Sequence, residues 1–204
     1  MRIVKAKLYD PKEAYRFDLE ELMNRRDNLV CIQKEEKQRL EKDACNLISD
    51  SIRDHIKYLD EKIKAIESEI SRLVEENGKD IDEVLQSEKG IGDLTSAILI
   101  SLLPELGRID NRKIAKLVGI APMAKDSGSK FGERSIRGGR MRVRMALYIA
   151  SINAIRSNTK VKDFYKRLRD QGKPPKVAIV AVMRKLIVIL NSEMRLFYKE
   201  KDYF

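Results

Sequence analysis

The sequence predicts an all-α protein: a long coiled-coil helical hairpin, then a helical domain with a helix-hairpin-helix entry and a basic Gly/Ser loop. Three observations carry this prediction. No glycine or proline interrupts residues 19–77, and their apolar pattern is helical. Within that run Ile52, Ile56, Leu59, Ile63, Ile66, Ile70 and Leu73 alternate steps of four and three, the a/d seam of a coiled coil. No segment sustains the period-2 alternation of a half-buried strand, so a large sheet is not expected.

Residues 1–17 form a short N-terminal segment, with one extended piece expected over Arg2 to Leu8. Residues 18–78 form the coiled-coil region. Its first half is poorer than its second: the register Leu19, Leu22, Arg26, Leu29, Gln33, Glu36, Leu40 has three polar seats. Two long helices are therefore expected, broken near residues 42–50, folding back on each other or pairing with a second chain. A polar first helix is a poor cover for an uninterrupted isoleucine seam, which favours a homodimer through the coiled coil. Gly78 is the expected C-cap of the second helix.

Residues 79–204 form the C-terminal domain. Residues 81–120 read as a short helix "DIDEVLQSE", the turn "KGIGD", a helix "LTSAILISLLPEL", the turn "GRIDN" and a helix "RKIAKLVGI". Helix, "GIG" turn, helix is the layout of a helix-hairpin-helix module, in which Gly90 and Gly92 would let backbone N–H groups approach a DNA phosphate. A tight connection between helices gives the same pattern. Residues 121–140 form a basic loop, and residues 141–197 a helical core in three runs, about 141–157, 160–170 and 174–197. The last run, "KVAIVAVMRKLIVILNSEM", is apolar on most faces and is the expected central helix.

Charge separates the two halves. Residues 108–204 hold 24 lysines and arginines against 8 acids, whereas residues 1–107 hold 18 against 24. A surplus confined to one half points to a polyanionic partner for that half. The surplus is densest in "APMAKDSGSKFGERSIRGGRMRVR", residues 121–144. Its glycines permit backbone N–H donors to line a concave path, and Lys125, Lys130, Arg134, Arg137, Arg140, Arg142 and Arg144 offer cations for phosphates. Arg140 and Arg144 can share a helix face, while Arg142 points elsewhere. Basic groups at a helix N-terminus oppose the macrodipole, and a bound anion would offset that cost. On composition alone Ser127, Ser129 and Ser135 read as turn and cap residues, since a hydroxyl is a weak nucleophile without a base or metal.

Other classes are excluded or disfavoured. His55 is the only histidine, so a His/Cys metal cage is ruled out, and Cys31 and Cys45 have no C-x-x-C spacing. With no apolar run of about 18 residues and no signal-peptide layout, a soluble cytoplasmic protein with reduced thiols and no membrane association is expected.

The stretches "GIAPMAKDSG", "G-x-R-x-I-x-G-G-R", "ALYIA" and "FYKRLRDQGKPPKVAIVAVMRKLIVILN" resemble the C-terminal domain of transposases of the insertion sequence 110 group. "EEKQRL" and "SIRDHIKYLDEKI" resemble that family's coiled coil, and "GIGDLTSAILISLLPELG" its helix-hairpin-helix entry, so the resemblance covers roughly residues 18–196. It implies a recombinase that excises and inserts mobile DNA, guided by a structured RNA. It also implies an N-terminal RuvC-like domain whose acidic residues hold Mg²⁺, and a C-terminal serine that links covalently to a DNA phosphate. The matching serine is Ser127, with Ser129 second and Ser135 third. A RuvC-like domain is not expected within this sequence, where only 17 residues precede the helical region. Mg²⁺ is thus expected only with such a domain supplied in trans, no cofactor being held by this chain. The resemblance implies a truncated or split transposase that binds DNA and a guide RNA. The alternatives are a non-catalytic nucleic-acid-binding or regulatory module, and a helical scaffold whose charge is incidental.

Overall fold

The computed structural model describes residues 11–42, 45–122, 136 and 138–201, the side chains of residues 11–13 excepted. Among the described residues every regular element is a helix: α1 (Pro11–Leu40), α2 (Asn46–Asn77), α3 (Lys79–Gln86), α4 (Asp93–Leu102), α5 (Asn111–Val118), α6 (Met141–Ser157), α7 (Thr159–Asp170) and α8 (Pro175–Glu200). The chain divides into two compact units at Gly78.

In the first unit α1 and α2 pair as an antiparallel hairpin. Arg26 Nε meets Glu67 Oε1 at 2.7 Å and Glu36 Oε1 meets His55 Nδ1 at 3.3 Å, so residue numbers rise on one helix as they fall on the other. Leu29 packs on Leu59 and Ile63 between those two contacts. Every seat of the predicted seam on α2 is buried or half-buried, as is every seat of the α1 register from Leu19 to Leu40. The three polar seats are accommodated chemically. Arg26 and Glu36 take the partners just named, and Gln33 hydrogen-bonds Asp60. A polar seat facing a polar flank exacts little desolvation, because each group keeps a partner.

The seam is therefore occupied within one chain. That removes the premise from which a second chain was expected there, namely that so polar a helix could not cover the isoleucines. A further departure lies at the N-terminal end, where helix begins at Pro11 rather than near residue 18. Apolar periodicity starts only at Leu19, yet proline at the first helical position is preorganised for the helix, and Tyr15 is buried one turn before Leu19. The extended piece expected over Arg2 to Leu8 lies outside the described residues. At the other end Gly78 does cap α2, its N–H donating to Val74 O at 2.8 Å.

The second unit is built around α8. Its buried face runs Ala178, Val182, Met183, Leu186, Ile187, Leu190, Asn191, Met194 and Tyr198, and α3, α5, α6 and α7 all pack on it. Pro175 starts the helix and Pro174 precedes it, which explains the sharp beginning after the Gly172 turn. α6 lies against α8, α4 and α7 through Val143, Ala146, Leu147, Ala150 and Ala154. Alanines four apart keep one side of α6 flat. The α3–α4 turn uses that flatness: Gly90 has φ +109°, and a Cβ there would lie 2.7 Å from Ala150 O and from Ala154 N.

Inside this mostly apolar core, beside the buried Ser96 and Ser151, one side-chain amide is fully buried. Asn191 accepts from the Gly107 N–H at 2.7 Å and donates to Ile109 O at 3.0 Å and Asn111 Oδ1 at 2.8 Å. The side chain thus replaces water for the whole α4–α5 turn. Gly107 must be glycine, since at φ +81° a Cβ would press on the Met194 backbone at 2.8 Å. Asn191→Leu strands these buried groups, and denaturant unfolding should show a loss of about 2–4 kcal/mol.

A second polar feature lies between α3 and α8. Glu193 Oε2 is buried without a hydrogen-bond partner. Burial, reinforced by the neighbouring Glu88 carboxylate, pushes its pKa up to about 7. The folded protein therefore holds a proton that the unfolded chain releases near the usual Glu value of about 4.3. Because the native state binds more protons in that window, unfolding free energy falls as pH rises from about 4.5 to 7. Glu193→Gln should flatten that fall and raise the melting temperature at pH 7.5 relative to the parent, measured by a thermal-melt series across pH.

Candidate functional site

The basic segment predicted from sequence begins where α5 ends and finishes where α6 starts. α5 opens on an Asp110 cap that accepts from the Arg112 and Lys113 N–H groups, each at 2.9 Å. Those bonds, the Lys113 one first, hold the Asp110 carboxyl below its ordinary pKa. The helix closes at Gly119, whose left-handed φ of +80° lets its N–H and that of Ile120 return to Lys116 and Ala115 carbonyls.

The far end of the segment returns to this same place. Gly138 and Gly139 both have φ +68°. A Cβ on Gly139 would lie 2.4 Å from the Gly119 nitrogen, and one on Gly119 would lie 2.1 Å from Gly138 O. The Arg140 N–H then donates to Leu117 O at 3.0 Å. Backbone crosses backbone here with no room for any side chain.

Two arginines lock the crossing. Arg144 donates through its guanidinium to the carbonyls of Gly138 and Gly119, bridging the two glycine turns, and also contacts Met141 Sδ at 3.0 Å. Arg140 is half-buried and forks onto Glu105, Nη1 to Oε2 at 2.5 Å and Nη2 to Oε1 at 2.7 Å. Its Nη1 also donates to Leu102 O at 2.7 Å, the last carbonyl of α4. Hydrogen bonds to Glu105 favour the charged form of Arg140 and raise its pKa. The planar fork matters: a lysine could not reach both carboxylate oxygens and the carbonyl together.

These contacts change what the sequence suggested for the two residues. Arg140 and Arg144 were expected to share a face and offer cations to a phosphate. Their guanidinium groups instead diverge, one toward the α4–α5 turn and one onto the glycine carbonyls, and both fasten the ends of the segment. Arg142 is half-buried one step into α6. Ser127, Ser129, Ser135, Lys125, Lys130, Arg134 and Arg137 lie outside the described residues. Of the two turn glycines, Gly90 faces the α6 backbone, whereas Gly92 caps α4 with open space around it. Asp93 follows in the first turn of α4 and accepts from Gln86 Nε2 at 3.1 Å, so a carboxylate already sits at that helix end.

Sequence reasoning missed Glu105, Gly119 and the consequence of the Gly138–Gly139 pair. A signal existed for the last, since adjacent glycines before a helix often mark a close approach. Glu105 carried none: a lone acid in "LLPELG" gives no hint of a partner 35 residues on.

Residues 82–166 match the model of the transposase IS116/IS110/IS902 family. That match includes the Gly119–Gly139 crossing and everything between its arms. A 43.6 kDa protein of insertion element IS110 from Streptomyces coelicolor is 25% identical over 160 residues, covering 76% of this chain and 39% of the relative. A 44.8 kDa protein of insertion element IS116 from Streptomyces clavuligerus is 28% identical over 158 residues, with the same two shares. A pilin gene-inverting protein from Moraxella lacunata is 27% identical over 201 residues, covering 92% of this chain and 60% of the relative. The family model and the insertion-element relatives thus mark this part of the chain as similar to proteins of IS110-type insertion elements. The chain spans about two fifths of the two insertion-element proteins and three fifths of the gene-inverting protein.

Among the described residues no helix is long and apolar enough to cross a membrane. Also among them, no three His, Cys, Asp or Glu side chains converge to hold a metal ion.

Arg140→Ala removes the fork and leaves Glu105 and the Leu102 carbonyl half-buried. The expected loss is about 1–3 kcal/mol of unfolding free energy, and Arg140→Lys should restore only part of it. Gly139→Ala should be at least as damaging, because neither φ nor space admits a methyl group.

Proposed function

We propose that this chain acts on DNA in transposition or site-specific recombination, as part of an IS110-type machinery. One observation carries the proposal: the glycine crossing fixes both ends of the segment that holds Ser127 and the cations at 125, 130, 134 and 137. A sugar–phosphate strand is the proposed ligand of those cations, in a segment that also carries Ser127 and whose two ends are anchored.

In the reaction, the Ser127 oxygen forms a bond to a backbone phosphorus while the bond from that phosphorus to the adjoining nucleotide oxygen breaks. The serine gives up its proton and the departing oxygen gains one. A serine–DNA ester is held until a second strand end attacks. The resemblance places Mg²⁺ on a RuvC-like domain. Among the described residues no three His, Cys, Asp or Glu side chains converge to hold it. A guide RNA and a homodimer through the coiled coil belong to the same proposal. The dimer has to use surface outside the occupied seam, and near the hairpin tip Leu47 and Ile48 are exposed.

The test has two stages. Binding to a labelled duplex is expected to fall steeply between low and moderate salt, and Arg137→Ala to weaken it; no binding at low salt refutes the proposal. Denaturing electrophoresis then looks for a covalent protein–DNA band, with and without a RuvC-like domain from a full-length relative. The band is expected only with that domain, and not from Ser127→Ala. Binding without a band in either arm favours a non-catalytic nucleic-acid-binding module.

A further inference from the structure

Most arginines of the first unit, and Arg140 of the second, have a carboxylate partner: Arg26 with Glu67, Arg53 with Asp50, Arg72 with Glu69 and Glu76, and Arg140 with Glu105. α7 and the first half of α8 break that habit. Residues 159–185 hold nine lysines and arginines against only Asp163 and Asp170. Among the described residues none of the nine forms an ion pair, although all nine are exposed. Arg169 alone is engaged by backbone, donating to Lys173 O at the end of α7.

The cations are gathered rather than scattered. Lys160, Phe164 and Arg167 are spaced four and three apart and so share one face of α7. Arg167 Cζ lies 5.5 Å from the Phe164 ring centroid, and Lys185 Nζ reaches the same ring from α8 at 4.7 Å. The ring packs below against Ala154, Val161 and Val182. Two like charges held on one ring repel each other, and the ring quadrupole offsets only part of that repulsion. Asp163 is within helical reach of both Lys160 and Arg167 yet pairs with neither. Such an arrangement favours an external polyanion, whose arrival relieves the repulsion and releases counterions.

Position distinguishes this face from the glycine crossing. Phe164 packs at the Ala154 end of α6, whereas Arg140 and the glycine crossing stand at its start. Fourteen residues of helix separate them, about 20 Å, or roughly six base pairs of duplex.

We propose that the Phe164 face of α7 and α8 is a second sugar–phosphate contact, which lies about six base pairs of duplex from the glycine crossing. This rests on the reading that the partner is nucleic acid, and it adds where and how far along the strand the protein holds it.

The experiment compares a six-base-pair DNA hairpin with a duplex of about 20 base pairs by fluorescence anisotropy over a salt series. The parent should bind the long duplex more tightly. Lys160→Gln/Arg167→Gln should weaken the long duplex about ten- to thirtyfold, make its salt slope shallower by about two, and leave the hairpin nearly unchanged. Lys162→Gln/Lys166→Gln removes the same charge from the other flank of α7 and should cost less than about threefold. Arg167→Lys should retain parental affinity, and Lys160→Glu, which disturbs no packing, should reproduce the loss if the double variant melts early. Equal losses from both flanks, or an equal loss on hairpin and duplex, overturn the second contact. A loss confined to Arg134→Gln/Arg137→Gln overturns it while leaving the recombination reading in place. No binding by the parent removes both.

Discussion

Gly119 and Gly139 meet backbone to backbone, and the second unit depends on that contact more than on any single apolar pair. A methyl group on either would need space already filled by peptide atoms. Two helices that are consecutive in the fold but more than twenty residues apart in sequence are thereby set at one fixed approach. Once they are set, the Arg140 N–H reaches Leu117 O, Arg144 spans both glycine carbonyls, and the Arg140 fork falls on Glu105. The intervening segment inherits two fixed ends. Its chemistry, whatever strand it meets, starts from that constraint.

Positive charge does two different jobs in this protein. At the start of α6, where cations oppose the helix dipole, the arginines are turned onto carbonyls and a carboxylate, so their charge is offset by the protein itself. On α7 and the first half of α8 no cation has a carboxylate partner among the described residues, and only Arg169 is turned onto a carbonyl. The first unit is different again: Arg53, Lys64 and Arg72 pair with acids three or four residues away on α2. Pairs of that kind are exposed and weak, and they leave the surface nearly neutral. A polyanion therefore finds little to hold on the hairpin and much to hold on the second unit.

Asn191 shows how the same unit tolerates a polar group at its centre. Its amide uses both of its ends on the α4–α5 turn, so the buried dipole is satisfied and the turn is oriented with it. Glu105 follows that turn's entry. The fork on Arg140 and the amide of Asn191 thus brace one short connection from two sides, which is why the glycine crossing has a rigid neighbour.

The helices themselves were written in local pattern. The alternation from Ile52 to Leu73, the Gly78 stop and the prolines at the start of α8 each act over a few residues, and they put the boundaries they govern within a turn of where the structure has them, whereas α1 begins at Pro11 rather than near residue 18. The register of α1 was also legible, polar seats included. What local pattern could not say was that Arg26, Gln33 and Glu36 would find partners on the same chain, because a partner about twenty to forty residues distant leaves no mark on spacing. The roles of Arg140 and Arg144 were hidden for the same reason: a cation reads alike whether it will meet a phosphate or a carbonyl. Composition and periodicity thus determined that the protein is helical, divided in two and positively charged in its second part. Only the tertiary structure decided which of those charges are neutralised from within, since that depends on which distant acids and carbonyls the packed helices bring within hydrogen-bonding distance.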